Sequence, residues 1–350
     1  MSDLMQTWRM SKENKQDNEI LMKRVAINGF GRIGRTAFRI LTERDGVEVV
    51  AINDLTDAET LAHLLKHDTA YRAFNREISS KESVILVDGK EIPVLSEPDP
   101  EKLPWGDMHV DVVLECTGRF VKGDAAGKHI TAGAQKVILS APGKGSDIPM
   151  YLMGVNDEVY QGERIISNAS CTTNCLAPVA QVMQQTFGIE KAMMTTVHSY
   201  TADQNLQDGP HKDLRRARAA AQNIVPTTTG AAIAIGEVVP EIRGKFDGLA
   251  IRVPTSVVSL TDFTFVLGRD VTEEEVNAAL EVASKSDRFK GILEVTNEPL
   301  VSSDFIGNPA SSTVDLSLTK VVGGNLVKVV AWYDNEWGYS ERLVDMAMMV

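Results

Sequence analysis

Cys171 and His198 are the residues of this sequence best suited to nucleophilic chemistry. The stretch Ser167-Asn168-Ala169-Ser170-Cys171-Thr172-Thr173-Asn174-Cys175 follows the β-branched run Arg164-Ile165-Ile166 and precedes the apolar run Leu176 to Ala180. That order puts Cys171 where an extended segment hands over to a helix N-terminus. Unpaired N–H groups and the positive end of the helix dipole favour a thiolate there, so a lowered thiol pKa and donors for an oxyanion are expected. A small buried thiol beneath a polar cap is the competing reading of the same residues. His198 closes the run Ala192 to Val197, and a thiol with an imidazole in reach is the minimal activated nucleophile. Cys175 follows Cys171 by one helical turn. With no CxxC pair and no second ligand cluster, the two suggest neither a redox couple nor a metal site, and Cys175 is expected to pack as a small buried residue.

Such a nucleophile needs a scaffold, and the first half of the chain supplies a recognisable one. A strand from Arg24 to Asn28, the turn Gly29-Phe30-Gly31-Arg32-Ile33-Gly34, a helix from Arg35 to Arg44 and a strand from Val47 to Asn53 make a βαβ unit. The glycines allow a tight turn and let backbone approach a pyrophosphate at the helix N-terminus. Asp54 stands twenty positions after Gly34, where a carboxylate accepts from ribose hydroxyls and repels a 2′-phosphate, so NAD is favoured over NADP. Val84 to Val87 and Ile92 to Val94 flank Asp88-Gly89-Lys90 and read as a hairpin. The runs Val110 to Glu115 and Lys136 to Leu139 end near Thr117 and Ser140, which become cofactor-contact candidates at strand carboxyl ends.

The second half reads differently. A helix over Leu176 to Gln185 gives way to β-rich runs at Ala192–Val197, Gly248–Val253, Val257–Val266, Thr313–Leu318 and Leu326–Trp332, with one helix over Thr272–Ser284 opened by a capping box. That pattern predicts a mostly antiparallel sheet in an α+β domain. Lys212, Arg215, Arg216 and Arg218 form a basic island. Read alone it is a solvated face; beside Thr227-Thr228-Thr229-Gly230 and Arg252 it suggests phosphate recognition. Ser340 to Val350 reads as a short helix.

At 350 residues with 43% hydrophobic content, two domains are expected. The net charge of −12 argues against a general nucleic-acid or membrane-surface binder. Three cysteines, no apolar run of the ~20 residues a membrane helix needs, and no secretory core point to a cytoplasmic protein. Residues 1–22 are polar and read as a mobile extension.

Together these motifs resemble the phosphorylating glyceraldehyde-3-phosphate dehydrogenase family. The resemblance rests on Ile27 to Arg35, Ala169 to Cys175, Thr196 to Thr201, Asp213 to Arg218, Pro226 to Ala231, Arg252 to Thr255 and Trp332 to Glu336, in family order from Lys23 to the C-terminus. It implies an α/β fold: a Rossmann-type doubly wound parallel sheet over 23–170, with the helix 336–350 packing back on it, and an α+β catalytic domain over 171–335. It further implies oxidation of glyceraldehyde 3-phosphate with NAD and inorganic phosphate, through a thiohemiacetal and a thioester on Cys171, with His198 as base. Ser170, Thr172, Thr229 and Gly230 are then expected to hold the attacking phosphate, and Thr201, Arg216 and Arg252 the substrate phosphate. Asn28, Gly29, Gly31, Arg32, Ile33, Gly34, Asp54, Thr117, Ser140, Asn335 and Tyr339 are expected at the cofactor. A homotetramer is implied, with the loop 199–225 at a subunit interface. Two departures bear on the cofactor: Pro98 where many relatives have arginine, and Gly209 where many NAD-specific members have leucine. The alternatives are a paralogue acting on erythrose 4-phosphate or preferring NADP, and a non-catalytic NAD-binding regulator.

Overall fold

A computed structural model describes residues 22–145 and 147–350; the expectation of a mobile extension falls on residues that lie, all but Met22, outside them. The first half runs β1 (Lys23–Asn28), α1 (Arg32–Leu41), β2 (Val47–Asn53), α2 (Ala58–Lys66), β3 (Ile78–Lys81), β4 (Val84–Val87), β5 (Lys90–Leu95), β6 (Val112–Glu115), α3 (Gly123–Thr131), β7 (Lys136–Leu139) and β8 (Ile165–Ser167). Its sheet has the order β3-β4-β5-β2-β1-β6-β7-β8. Every pairing from β5 to β8 is parallel, and β3, β4 and β5 pair antiparallel at one edge. Parallel strands covered on both faces need unbroken apolar runs, and β6 is buried at all four positions. Asp88 (φ 50°) and Gly89 (φ 80°) make the two-residue turn of the β4–β5 hairpin. The strand order reverses at β1, which pairs with β2 on one side and β6 on the other, so a crevice opens at their carboxyl ends.

The second half runs α4 (Cys171–Phe187), β9 (Ile189–Ser199), β10 (Val225–Thr227), α5 (Ala231–Val238), β11 (Phe246–Val253), β12 (Ser259–Leu267), α6 (Glu273–Ser284), β13 (Leu293–Thr296), β14 (Ser312–Asp315), β15 (Lys320–Val322), β16 (Leu326–Tyr333) and α7 (Trp337–Met349). Its sheet, β10-β11-β9-β12-β16-β14-β13 with β15 on β16, is antiparallel except where β11 meets β9 and β13 meets β14. Burial alternates along β12, as one covered face requires. Leu176, Ala180 and Met183 of α4 share a core with Phe263, Phe265 and Val327 from the sheet. The helix α7 instead places Leu343, Val344, Met346 and Ala347 in the core of the first half. Lys23 Nζ donates to the carbonyls of Ala347, Met348 and Val350 at 3.1, 2.9 and 2.6 Å and so caps that helix's open end.

The doubly wound first half and the mostly antiparallel second half agree with the fold expected from the sequence. Boundaries differ for local reasons. The helix α1 starts at Arg32, inside the glycine turn, because Gly31 serves as its cap residue. The helix α4 starts at Cys171, five residues before its apolar face becomes periodic, because the Ser170 hydroxyl accepts from the Thr173 N–H at 3.1 Å.

Candidate active site

The nucleophile candidate sits on the first turn of α4. Ala169, fully buried, adopts φ 53° and turns the chain off the end of β8 into that helix. Cys171 therefore enters a cleft half-buried, with its amide at the helix N-terminus. His198 comes from β9, in the middle of the second sheet, where the parallel register with β11 places it beside Arg252. The Cys171 Sγ lies 3.5 Å from His198 Nε2, and His198 Nδ1 lies 2.6 Å from the Ser199 carbonyl. Behind them the Tyr333 hydroxyl bridges the hydroxyls of Thr172 (3.1 Å) and Thr196 (2.8 Å).

The electrostatics correct one expectation. Burial pushes the Cys171 thiol up to about 11, against the lowering effects of the Thr172 contacts and the Arg252 charge. Burial likewise holds His198 down at about 4, opposed by its bond to Ser199. Desolvation opposes the helix terminus at the thiol, and it opposes the charged form of the imidazole as well.

Ser170, Cys171, Thr172, His198, Arg216, Thr229, Gly230 and Arg252 line a single cavity of about 210 Å³. Arg252 donates from Nη1 to Thr201 Oγ1 (2.6 Å) and Gln204 Oε1 (3.2 Å), while its buried Nε has no partner. Arg216 is tied to Thr227 Oγ1 (3.0 Å), to the Thr228 carbonyl (3.2 Å) and to Asp203. Two guanidinium groups with hydroxyls and a helix N-terminus form a place for anions.

A second cavity, of about 390 Å³, fills the crevice at the switch point of the first sheet. Asn28, Gly29, Gly31, Asp54, Pro98 and Thr117 are among its walls. The Asp54 carboxylate accepts from the N–H groups of Phe30 (2.8 Å) and Thr56 (2.9 Å), which locks it to the glycine turn. The glycines divide by function. A Cβ on Gly34 would lie 2.2 Å from the Gly29 carbonyl, so Gly34 lets helix meet strand; a Cβ on Gly31 would meet no protein atom within 4 Å, in space a dinucleotide can occupy.

Comparison with known proteins agrees with this geometry. The family model described as glyceraldehyde 3-phosphate dehydrogenase, NAD binding domain, matches residues 23–123, and the one described as its C-terminal domain matches residues 170–335. The chain is 56% identical over 328 residues to glyceraldehyde-3-phosphate dehydrogenase 1 of Bacillus cereus, covering 93% of this chain and 98% of that one. It is 56% identical over 329 residues, with the same coverage, to glyceraldehyde-3-phosphate dehydrogenase of Geobacillus stearothermophilus. Against glyceraldehyde-3-phosphate dehydrogenase B, chloroplastic, of Pisum sativum the identity is 54% over 333 residues, 93% of this chain and 74% of that one. The chain belongs to the glyceraldehyde-3-phosphate dehydrogenase family. It is accordingly an NAD-dependent oxidoreductase, with NAD as its cofactor.

Within this member of the glyceraldehyde-3-phosphate dehydrogenase family several expected site residues stand outside the two cavities. Thr201 reaches the Cys171 cleft only through Arg252. Arg32 is paired with Asp68 and Glu336 and lines a neighbouring hollow rather than the crevice. Ile33 packs against the first core. Ser140, at the end of β7, is half-buried. Asn335 accepts at Oδ1 from the hydroxyls of Ser199 and Ser259, both at 2.9 Å, so its Nδ2 is left to donate. Tyr339 is buried, its hydroxyl donating to the Ala169 carbonyl at 3.1 Å next to the nucleophile's turn. Gly209 lies off the crevice wall of its own chain. Sequence reasoning missed Gln204 and the Tyr333 bridge, whose polar atoms carry no spacing pattern. It also missed Asn53, although that residue is a polar end to an apolar strand. No helix among the described residues is long and apolar enough to cross a membrane.

Proposed function

We propose that this enzyme oxidises glyceraldehyde 3-phosphate, with inorganic phosphate and NAD, to 1,3-bisphosphoglycerate, as a step of glycolysis and gluconeogenesis. The observation that carries the proposal is the sharing of one cleft by the Cys171–His198 pair and an Arg252 nitrogen that is buried without a partner. A nucleophile for a carbonyl and a cation for a phosphate stand within one small substrate of each other.

In this reading the Cys171 sulfur bonds to the aldehyde carbon as its proton passes to His198 Nε2 and on to the carbonyl oxygen, giving a thiohemiacetal. The bound dinucleotide supplies the acceptor for the hydride that leaves that carbon. His198 takes the hydroxyl proton back, and the carbonyl of a thioester on Cys171 forms. The Cys171 N–H and the imidazolium hold the oxyanion of each tetrahedral state. Ser170, Thr172, Thr229 and Gly230 seat inorganic phosphate, whose oxygen bonds to the acyl carbon and expels the Cys171 thiolate. Thr201, Arg216 and Arg252 keep the substrate phosphate fixed throughout. Arg32, Ile33, Asp54, Thr117, Ser140, Asn335 and Tyr339 serve the cofactor side, the glycine turn taking the pyrophosphate.

The domain division proposed is 23–170 for cofactor and 171–335 for substrate. A homotetramer is supported by exposed apolar side chains on the second half, including Met193 (63%), Leu206 (80%) and Leu214 (79%). Cytoplasmic residence is supported by three free cysteines.

Steady-state rates with glyceraldehyde 3-phosphate and erythrose 4-phosphate, with NAD and NADP, and with and without phosphate, test the proposal. The expected result is phosphate-dependent NAD reduction with the triose as preferred aldehyde. A higher kcat/KM for erythrose 4-phosphate, or for NADP, would overturn it.

A further inference from the structure

Beneath the cofactor crevice lies a set of buried polar groups for which the proposed chemistry has no use. Glu115, the last residue of β6, is 1% exposed, and His129 of α3 is 0% exposed. The direction of each N–H hydrogen bond to Glu115 is fixed from outside. On one side the Trp105 indole, which can only donate, lies 3.0 Å from His129 Nδ1. That nitrogen must accept, so the ring's proton sits on Nε2, 3.0 Å from Glu115 Oε2. On the other side the Glu97 backbone N–H donates to Asn53 Oδ1 at 2.9 Å. This turns Asn53 Nδ2 toward Asn28 Oδ1 (2.7 Å), and Asn28 Nδ2 toward Glu115 Oε2 (2.5 Å). The third side belongs to Thr117. Its N–H donates to Glu115 Oε1 at 2.8 Å, and its hydroxyl, which accepts from the Arg119 N–H at 3.1 Å, is aimed at the same oxygen.

The His129 Nε2–H, the Asn28 amide and the Thr117 N–H are therefore all donors to Glu115. Reversing any of the three sets an N–H against another N–H; Asn28 Nδ2 and His129 Nε2 already lie 3.4 Å apart, side by side on the oxygen they share. An amide at this position turns an NH2 group onto donors, whereas a carboxylate accepts from the whole set; the Thr117 hydroxyl is the one neighbour with lone pairs of its own to offer. Asn28, Asn53 and Thr117, the three residues through which the bonds run outward, all stand on the crevice wall, whereas Trp105 does not.

We propose that Glu115 is a positioning residue for the cofactor: a buried carboxylate whose one-way hydrogen bonds hold Asn28, Asn53 and Thr117 in the arrangement that receives NAD. The inference rests on the crevice being the NAD site. Its effect is preorganisation of a binding wall, so it acts on cofactor affinity and leaves the chemistry at Cys171 alone.

Glu115→Gln keeps the shape and forces an NH2 group against donors. The expected result is a rise of roughly tenfold or more in the Kd and KM for NAD, as the loss of a charge-assisted buried bond implies, with kcat at saturating NAD within about threefold. Trp105→Phe removes the group that fixes the imidazole, so in its background His129 is free to accept from the new amide. The Glu115→Gln penalty on the NAD KM should then be smaller than in the wild-type background. An unchanged KM for NAD in Glu115→Gln, a parallel fall in kcat, or penalties that simply multiply in the double variant would each overturn the proposal. Where Glu115→Gln does not fold, nitrogen-15 NMR of the histidine-labelled wild-type enzyme decides. The proton of His129 is expected on Nε2, and a proton on Nδ1 would overturn the argument. Wild-type enzyme that binds NAD while Glu115→Gln binds it equally well removes this inference only; wild-type NAD binding indifferent to Asp54→Ala removes the assignment of the crevice.

Discussion

His198 Nδ1 lies 2.6 Å from the Ser199 carbonyl oxygen, and that contact decides which nitrogen faces the Cys171 sulfur. A carbonyl only accepts, so Nδ1 carries the proton and Nε2 presents its lone pair to the thiol at 3.5 Å. The orientation of the ring is thus set by the backbone of its own strand.

The first prediction concerns stability and pH. His198 has a folded-state pKa lowered from 6.5 to about 4 by burial. The unfolded chain binds that proton first, so the contribution is present above pH 6.5 and is lost as pH falls toward 4. Relative to His198→Asn, the native enzyme should lose about 3 kcal/mol more between pH 7 and pH 4, measured by denaturant unfolding at both values. For Cys171, raised from 9 to about 11, the sign is opposite, and stability declines as pH climbs through that range. Equal acid slopes in wild type and His198→Asn would show that the imidazole is not held neutral by the fold.

Replacing the nucleophile separates binding from turnover. Cys171→Ser changes one atom on the first turn of α4 and leaves the crevice untouched. Phosphate-dependent NAD reduction should fall by at least about 10³-fold, with NAD affinity within about threefold of wild type. Surviving turnover near the wild-type rate would remove Cys171 from the mechanism.

Cofactor choice is expected to turn on Asp54. With its carboxylate held by the Phe30 and Thr56 amides, it cannot swing away from a 2′-phosphate. Asp54→Ala should raise the NADP-to-NAD ratio of kcat/KM by roughly 10–100-fold. An unchanged ratio would move the discrimination away from Asp54, to other groups on the crevice wall such as Pro98.

Two glycines of the same turn should fail in different ways. In Gly34→Ala the new methyl lies 2.2 Å from the Gly29 carbonyl, and a loss of about 1–3 kcal/mol in unfolding free energy is expected. Gly31→Ala meets no protein atom within 4 Å and should keep its stability while weakening NAD binding. Thermal unfolding and NAD titration of both variants would expose any mistake in this division.

Much of this was legible in the residues before any coordinates. The glycine turn with Asp54 and the Cys171–His198 pair declared themselves because their chemistry demands particular types at particular spacings. The 3-residue strands β10 and β15 were not legible, since so few positions show no period. Nor was the state of the thiol: the helix start argued for a thiolate, and only the packing around Cys171 and His198 reveals how far desolvation opposes it. The Glu115 network was invisible for a related reason. Trp105, His129, Asn53 and Asn28 are ordinary residues scattered over four elements or loops, and their meaning lies in the direction of hydrogen bonds that no one-dimensional pattern records.

The capping of α7 by Lys23 joins the first strand of the described chain to its last residues. The half that binds the cofactor thus completes its core with Leu343, Val344, Met346 and Ala347, which are made after the rest of the second half. Its synthesis precedes that of the second half and its folding follows it. A nascent chain truncated before Trp337 should present an unfinished apolar surface to chaperones, and loss of the residues from Leu343 onward should disturb cofactor binding.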